Sequence, residues 1–419
     1  MSTVIRFLKK ILPAKLFTAL LSFYHRLLPF LGSLIYRSPS KKLFVVGVTG
    51  TKGKSSTTEL LNAIFEEAGF KTAVSGTIRF KVGKEETPNL YKMSMPGRFF
   101  MQRFLRKAVN AECTHAIIEM TSEGARQFRH THIDMDALIF TNLSPEHIES
   151  HGSFEKYRDA KLSIADQLVA SEKKDKYLVV NGNDETSPLF LSRKVDTKLR
   201  FDHRDAEPYI LTSHSIEFTF ENTKIISPLQ GIFNLENILA AATLARALGI
   251  QTEVIKKAVE TFSEIKGRVQ KIHTGQNFEV VVDYAHTIDS LEKLYQAFPS
   301  KKKICVLGNT GGGRDKWKRP GMAKIAEKYC DEIVLTNEDP YDEDPQVIVD
   351  EMKVAIHHKP VKTILDRRGA IRYALSKATP ESAVLITGKG TDPYIMGPRN
   401  TKIVWSDANV AREELLKMK

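Results

Sequence analysis

The sequence predicts an α/β fold of two successive domains, each built on a mostly parallel sheet, preceded by a short helical arm. Three observations lead there. An apolar run, Leu43–Val48, passes directly into a glycine-rich turn and a helix. Further short apolar runs alternate with helical periodicity to the end of the chain. The 419 residues suffice for two to four domains with cores of their own.

The elements follow in chain order. From Val4 to Tyr36 apolar residues recur near positions 5, 8, 12, 16, 20, 23, 27, 31 and 34, the period of a helix. Pro13 and Pro29 are expected to break this arm into short helices. Arg26 interrupts its longest apolar stretch, so there is no clean span of about 20 apolar residues. No small-residue cleavage site of a signal peptide precedes the first domain. The formal net charge of the chain is +12, and residues 1–42 alone hold eight bases and no acid, which leaves the remainder at +4. A basic amphipathic arm suits an anionic membrane face, on the inner side of the cell membrane. The other reading is a helix packed on the protein's own body or on a second subunit. The nearly balanced remainder gives no footing for a nucleic-acid partner.

Beyond Lys42, strands are expected at Leu43–Val48, Ala116–Glu119, Ala137–Thr141 and Tyr177–Val180, with a helix at Ser55–Ala68. A polar, β-leaning stretch near 200–230 leads into an apolar helix, Leu235–Leu248. A second alternation starts around Ser263–Gly267, with strands at Val280–Tyr284, Lys303–Leu307, Glu332–Thr336 and Ala383–Thr387. The expected division is residues 1–42, 43–266 and 267–419. Cys113, Cys305 and Cys330 lie far apart and without C-x-x-C spacing. That excludes a disulfide framework and a cysteine zinc ribbon, and makes a reducing, cytoplasmic compartment the expectation.

Two segments carry chemistry. In Gly50-Thr51-Lys52-Gly53-Lys54-Ser55-Ser56 the turn follows a strand and opens a helix. Its backbone N–H groups form a concavity for phosphate, Lys54 can reach terminal phosphates, and Ser55 can ligate Mg²⁺. It departs from G-x-x-x-x-G-K-[ST] at Val48. ATP or GTP binding follows from the turn. The second segment, Thr141-Asn142-Leu143-Ser144-Pro145-Glu146-His147, continues through His151-Gly152 to Tyr157-Arg158-Asp159-Ala160-Lys161. By residue type it reads as a strand end, a turn and a helix start.

These two segments, with Gly231–Asn237, Gly267-Arg268, Val282–Thr287, Gly311–Pro320 and Thr387–Gly390, occur in the order seen in Mur ligases. Over residues 43–419 the chain resembles that family, and most of all its tripeptide-synthetase branch. The resemblance implies a P-loop ATPase-type central domain and a Rossmann-like C-terminal domain. It implies an ATP-dependent ligase that activates a muramyl-peptide carboxylate as an acyl phosphate and joins an amino acid, a diamino acid, to it in peptidoglycan precursor synthesis. Both reactants are anionic, so such a site must supply cations and fixed donors. Ser55 and Glu119 would hold one Mg²⁺, and Glu119, His147 and Lys161 a second. A free lysine carries a repelling ammonium, and the family resolves this by carbamylating it with CO₂, here at Lys161.

For ATP the resemblance assigns Gly50 to Ser56, Asn234 and Asn237 on the adenine side, and Arg268, Asp283 and His286. Lys316 would contact phosphate when the domains close and exclude water. For the acceptor it assigns Ser94, Thr121, Gln127 and Arg129, the last as a carboxylate clamp. Asp339, Tyr341, Gly388 and Asp392 fall at the amino-acid side. Three departures stand out. The family's N-terminal uridine-nucleotide domain has no counterpart ahead of Gly50. Thr121-Ser122-Glu123 replaces Ser-Ser-His. Glu338-Asp339-Pro340-Tyr341 and Thr391-Asp392 replace Asp-Asn-Pro-Arg and His-Glu, so the arginine that meets a distal carboxylate is missing. Other readings are a ligase for a lipid-linked muramyl-peptide or a folate-like acid, and a non-catalytic ATP-binding scaffold.

Overall fold

A computed structural model describes residues 13–146, 148–212, 214–299, 301–313 and 316–418. By internal contacts the chain divides into two units. The first comprises Met1–Lys54, Ala68–Leu143 and Glu155–Phe201; the second comprises Ser55–Glu67, Ser144–Phe154 and Asp202–Lys419.

The first unit is built on an eight-stranded sheet of β1 (Phe44–Thr49), β2 (Thr72–Ser75), β3 (Arg79–Val82), β4 (Glu85–Pro88), β5 (His115–Glu119), β6 (Ala137–Phe140), β7 (Tyr177–Asn181) and β8 (Thr197–Phe201). Its order is β4-β3-β2-β5-β1-β6-β7-β8. Six strands run parallel, and β3 and β4 add an antiparallel edge. Val45, Val46 and Val48 of β1 are fully buried, as are Ile117 and Ile118 of β5 and Leu138 to Phe140 of β6. A strand buried on both faces reads as a continuous apolar run, which is why the sequence located these strands to within a residue or two.

Residues 1–12 of the arm lie outside the described residues, and beyond them the arm forms α1 (Ala14–Ile35), with Pro29 inside it. The expected break at Pro29 is therefore corrected. Pro29 forfeits the bond to the carbonyl four residues back, but the helix is held on both sides of it. Arg26 lies 4.6 Å over the Phe128 ring, and the Arg106 side chain donates to the Tyr36 carbonyl at 2.7 Å. Arg106 belongs to α3 (Arg98–Asn110), which follows α2 (Lys54–Glu67) in the chain. No helix among the described residues is long and apolar enough to cross a membrane. Helix α4 (Phe154–Ala170) precedes β7.

The second unit contains a three-stranded antiparallel sheet, β9 (Ile210–Leu211), β10 (Ile216–Phe220) and β11 (Thr223–Ser227), where the sequence showed its β-leaning stretch. Helices α5 (Ile232–Ala247) and α6 (Thr252–Thr261) follow. A six-stranded sheet comes next, of β12 (Gln270–Lys271), β13 (Glu279–Val282), β14 (Lys302–Leu307), β15 (Glu332–Leu335), β16 (Val361–Thr363) and β17 (Ser382–Ile386). Its order is β12-β13-β17-β14-β15-β16, parallel except at β12. Helices α7 (Ile288–Gln296), α8 (Lys318–Tyr329) and α9 (Pro345–Lys353) bury Leu291, Tyr295, Met322 and Met352 in the core on one face. Helices α10 (Arg367–Ser376) and α11 (Asp407–Lys417) bury Ile371, Leu375, Val410 and Leu415 in the core on the other. Cys305 of β14 and Cys330, just past α8, form a disulfide in the first of these cores, while Cys113 is free and buried. Spacing that rules out a disulfide framework does not register one bridge between two core positions.

Candidate functional site

In the first unit the chemistry gathers at the carboxyl ends of β1, β5 and β6. Val48 is paired in register with Glu119, and Thr49 with Phe140, so the turn after β1, Glu119 and Thr141-Asn142 emerge side by side. Gly50 has φ 148°, and a Cβ there would come within 1.9 Å of Thr141 Oγ1. Only glycine fits such an approach. The turn is pinned by Thr51 N–H to the Asn142 carbonyl at 2.8 Å, by Lys52 N–H to Asn142 Oδ1 at 2.9 Å, and by Thr141 Oγ1 to the Lys52 carbonyl at 2.6 Å. Lys54 Nζ donates to the Gly50 and Thr51 carbonyls, both at 2.9 Å. Lys161, on α4, is only 2% exposed and donates Nζ to the Gly50 carbonyl at 2.6 Å. Its Nζ also lies 4.9 Å from the Tyr157 ring centroid, and the Tyr157 hydroxyl is 2.8 Å from Thr51 Oγ1.

Glu119 is buried, and its carboxylate accepts from Thr77 N–H and Thr77 Oγ1 at 2.8 Å each and from Ser94 Oγ at 3.3 Å. Ser94, expected on the acceptor, therefore touches the expected metal carboxylate. Thr121 caps the short helix Ser122–Arg126, accepting from Gly124 N–H at 3.1 Å. Gln127 and Arg129 are joined, Arg129 Nη2 donating to Gln127 Oε1 at 2.7 Å, and Arg129 Nη1 also donates to the Met95 carbonyl. Ser55 and Ser56, in the first turn of α2 and within the second unit, are both buried. His147, like Arg314 and Asp315 of the Gly311–Pro320 loop, lies outside the described residues.

In the second unit Asn234 Nδ2 donates to the Gln230 carbonyl at 2.8 Å, and Asn237 Nδ2 to Asn234 Oδ1 at 3.3 Å. Asn234 sits inside the first turn of α5, and Gly231 is the cap. The Arg268 guanidinium lies 4.4 Å over the Tyr284 ring. Burial, then the Asp392 charge, pushes the Tyr284 phenol up, so it stays neutral. Asp283 accepts from Val269 N–H at 2.7 Å and Ala285 N–H at 2.6 Å, fixing the backbone on either side of β13's end. His286 Nδ1 is 2.6 Å from the Tyr284 carbonyl, and Nε2 is 3.1 Å from Glu146 Oε1. Lys316 is half exposed and pairs with Glu343 at 3.3 Å, a carboxylate shared with Arg319 at 2.9 Å.

At the ends of β15 and β17 the charges are mostly acidic. Lys389 is buried, its Nζ 2.7 Å from Asp339 Oδ1 and 2.9 Å from Asp392 Oδ2. Asp339 Oδ1 also accepts from Met396 N–H at 2.8 Å. Tyr341, at φ 52°, donates its N–H to the Met396 carbonyl at 3.1 Å. Gly388, at φ 103°, faces Glu338: a Cβ there would come within 2.2 Å of Glu338 Oε2. Glu338 Oε1 accepts from Thr310 Oγ1 at 2.9 Å, whereas Oε2 is buried with no partner. Beneath these loops Arg367 and Asp407 form a buried pair at 2.8 and 2.6 Å, and Arg367 also donates to the Asn337 and Thr387 carbonyls.

Oxygen donors of this kind suit Mg²⁺, a hard cation that keeps several waters rather than taking an all-protein cage. Among the described residues no group of three or more His, Cys, Asp and Glu is gathered to hold a metal.

Comparison with known proteins settles the family. The Mur ligase middle domain matches residues 48–245, and the Mur ligase, glutamate ligase domain matches residues 267–390. The UDP-N-acetylmuramoyl-L-alanyl-D-glutamate–2,6-diaminopimelate ligase of Geobacillus kaustophilus is 34% identical over 94% of this chain and 83% of its own. The chain belongs to the Mur ligase family. A solved structure of a UDP-N-acetylmuramoyl-L-alanyl-D-glutamate–2,6-diaminopimelate ligase, 26% identical, matches with TM-score 0.61 over 90% of this chain and 79% of that one. Folylpolyglutamate synthase from Mycobacterium tuberculosis, at 16% identity, shares the fold, with TM-score 0.70 over 87% of this chain and 92% of that one. Mur ligases are ATP- and Mg²⁺-dependent amide ligases, and this chain is an enzyme of that class.

Some residues of this Mur ligase's site were not singled out by the sequence. Thr77 orients Glu119 from 42 positions away, Asn142 pins the phosphate turn, and Glu338 packs against Gly388. Asn142 lay inside a motif already noticed, and its side chain opposite a glycine turn was the available signal. Thr77 offered none, since a lone threonine after a strand is ordinary.

Proposed function

We propose that this Mur ligase adds a diamino acid to the free carboxylate of a muramyl-dipeptide in peptidoglycan precursor synthesis. The observation that carries this reading is the meeting of Lys54 and Lys161 on one carbonyl, that of Gly50. Two cations distant in sequence, with the buried Glu119 on the adjoining strand, gather where a polyanion, a metal and an acyl group must come together.

Bound ATP with Mg²⁺ supplies the phosphoryl group that turns the carboxylate into an electrophile. The chain's own part is to bind and orient. Gly50, Thr51, Lys52, Gly53 and Ser56 shape the turn around phosphate, Asn142 holding the Thr51 and Lys52 N–H groups, and Lys54 pairs with the terminal phosphates. Ser55 and Glu119 offer oxygen ligands to one Mg²⁺, and Thr77 fixes which way Glu119 faces. Lys161 would act as a carbamate, its neutral amine bonding to the carbon of CO₂ with loss of a proton, and as an anionic oxygen donor it would, with Glu119 and His147, hold a second Mg²⁺. Asn234 and Asn237 take the adenine side, Arg268, Asp283 and His286 the ribose and phosphates, and Lys316 a phosphate. Ser94, Thr121, Gln127 and Arg129 hold the acceptor, and Asp339, Tyr341, Gly388 and Asp392 the incoming amino acid. The protein works in the cytoplasm with residues 1–42 on the anionic inner face of the membrane.

The test is ATP-dependent phosphate release by the full chain with Mg²⁺, bicarbonate, UDP-MurNAc-L-Ala-D-Glu and a panel of diamino acids, followed by mass spectrometry. The expected result is a product heavier by one amino acid, lost in Lys54→Ala and Lys161→Ala and diminished when CO₂ is stripped. Turnover without product would reassign the acceptor; neither turnover nor product would overturn the ligase reading.

A further inference from the structure

Helix α1 offers one side to the first unit and leaves the other bare. On the packed side Arg26 covers Phe128, the Phe30 ring lies 5.5 Å from His132, and a Cβ at Gly32 would meet Gln102 of α3 at 3.3 Å. On the other side Leu16, Leu20, Phe23, Leu27 and Leu34 recur at intervals of three, four and seven residues, all exposed, Phe23 by 64%. They form a stripe about 27 Å long. A second group, Leu90, Tyr91, Met93 and Phe99, is exposed on the loop leading into α3 and at its start. The second group lies beside α1, since Phe99 would lie 3.6 Å from that same Gly32 Cβ. Single exposed apolar residues are ordinary, whereas a contiguous set signals a partner.

Charge selects the partner. Residues 1–42 hold eight bases and no acid, and residues 89–111 hold five bases and no acid. Pairing this surface with a second copy of itself would set like charges together. An anionic bilayer takes both components, apolar side chains into the acyl boundary and Lys and Arg at the headgroups.

We propose that α1 and the 90–99 loop together dock on an anionic phospholipid bilayer. The loop that touches the lipid also carries Ser94, which bonds Glu119 at 3.3 Å, and Met93, whose sulfur is 3.5 Å from Arg129 Nη1. Docking thus opens the acceptor side of the site at the membrane surface. The docking stands on its own, and only this last placement rests on reading Ser94 and Arg129 as acceptor residues.

The test uses the full chain with vesicles of phosphatidylglycerol and phosphatidylcholine, against phosphatidylcholine alone. Binding is expected only to the anionic vesicles, weakened by salt, and reduced about tenfold or more by Phe23→Glu and, separately, by Leu90→Glu. A solvatochromic dye on Leu90→Cys should shift to the blue with anionic vesicles and not with phosphatidylcholine alone. Phosphate release with the soluble acceptor should be unchanged in Phe23→Glu and Leu90→Glu, so a failed ligase reading shows itself there and not in the vesicle assay. Absence of binding to anionic vesicles, no effect of Leu90→Glu, or conversion of a dimer to a monomer by Phe23→Glu would each overturn the proposal.

Discussion

The two large parallel sheets deliver opposite chemistry from equivalent places. In the first, β1 lies between β5 and β6, and the loops at their carboxyl ends bring together Lys54, Lys161 and a single carboxylate, Glu119. In the second, β14 lies between β17 and β15, and the loops there bring together Glu338, Asp339 and Asp392 around the buried Lys389. Open α/β sheets hold ligands at these crevices whatever the ligand is. The fold therefore selects the place and the side chains select the charge, and the proposed reading puts a polyanion at the first sheet and an ammonium-bearing molecule at the second.

The comparison extends to how each site is supported. The acidic end stands on a buried ion pair, because Arg367 holds Asp407 while donating to the carbonyls of Asn337 and Thr387, the residues just ahead of Glu338 and Gly388. Asp407→Ala would strand a buried guanidinium. It should destabilise the protein by about 3–5 kcal/mol, read from urea unfolding. If the loss is within about 1 kcal/mol, the pair is not the support of that end. The cationic end stands on backbone contacts of the glycine turn, so removing its charge should leave stability nearly intact and abolish chemistry. Lys54→Ala is expected to lower ATP turnover by about 10²–10³-fold. An equal loss of stability would show that the two ends are supported alike.

Much of this was legible in the sequence, for physical reasons that differ by element. The core strands announce themselves because both faces are buried, and the phosphate turn because all its parts are local. Pairings between distant segments leave no such mark. Thr77 on Glu119, Arg367 on Asp407 and Cys305 with Cys330 each join positions whose neighbours in sequence are unremarkable. Pro29 misled in the other direction: its local preference is to end a helix, and contacts on either side of it, at Arg26 and Tyr36, prevail. Lys161 was read from the family motif alone, and its burial against Gly50 is a tertiary fact that a helix sequence does not carry.

The smallest expected effect is also the one that probes the acidic end most directly. Burial pushes the Glu338 carboxyl up from its ordinary value of 4.5, against the pull of Lys389 and Arg367. A carboxyl raised in the folded state binds its proton more tightly there than in the unfolded chain. Below the ordinary value both states are protonated and the group is neutral in its effect. As pH rises through 4.5 the unfolded chain ionises first, and the folded protein loses stability until the folded group ionises as well. Glu338→Gln keeps the shape and removes the charge. It should therefore be more stable than the parent near neutral pH, by about 1–3 kcal/mol, with the difference closing as pH falls below the ordinary carboxylate range. The same variant should raise the KM for the diamino acid while leaving that for ATP unchanged, because Glu338 adjoins Asp339 and Gly388, which the proposed reading assigns to the amino acid and not to phosphate. A variant equal in stability at every pH would mean that the Glu338 carboxyl is not raised in the folded protein, the Lys389 and Arg367 charges offsetting its burial in full.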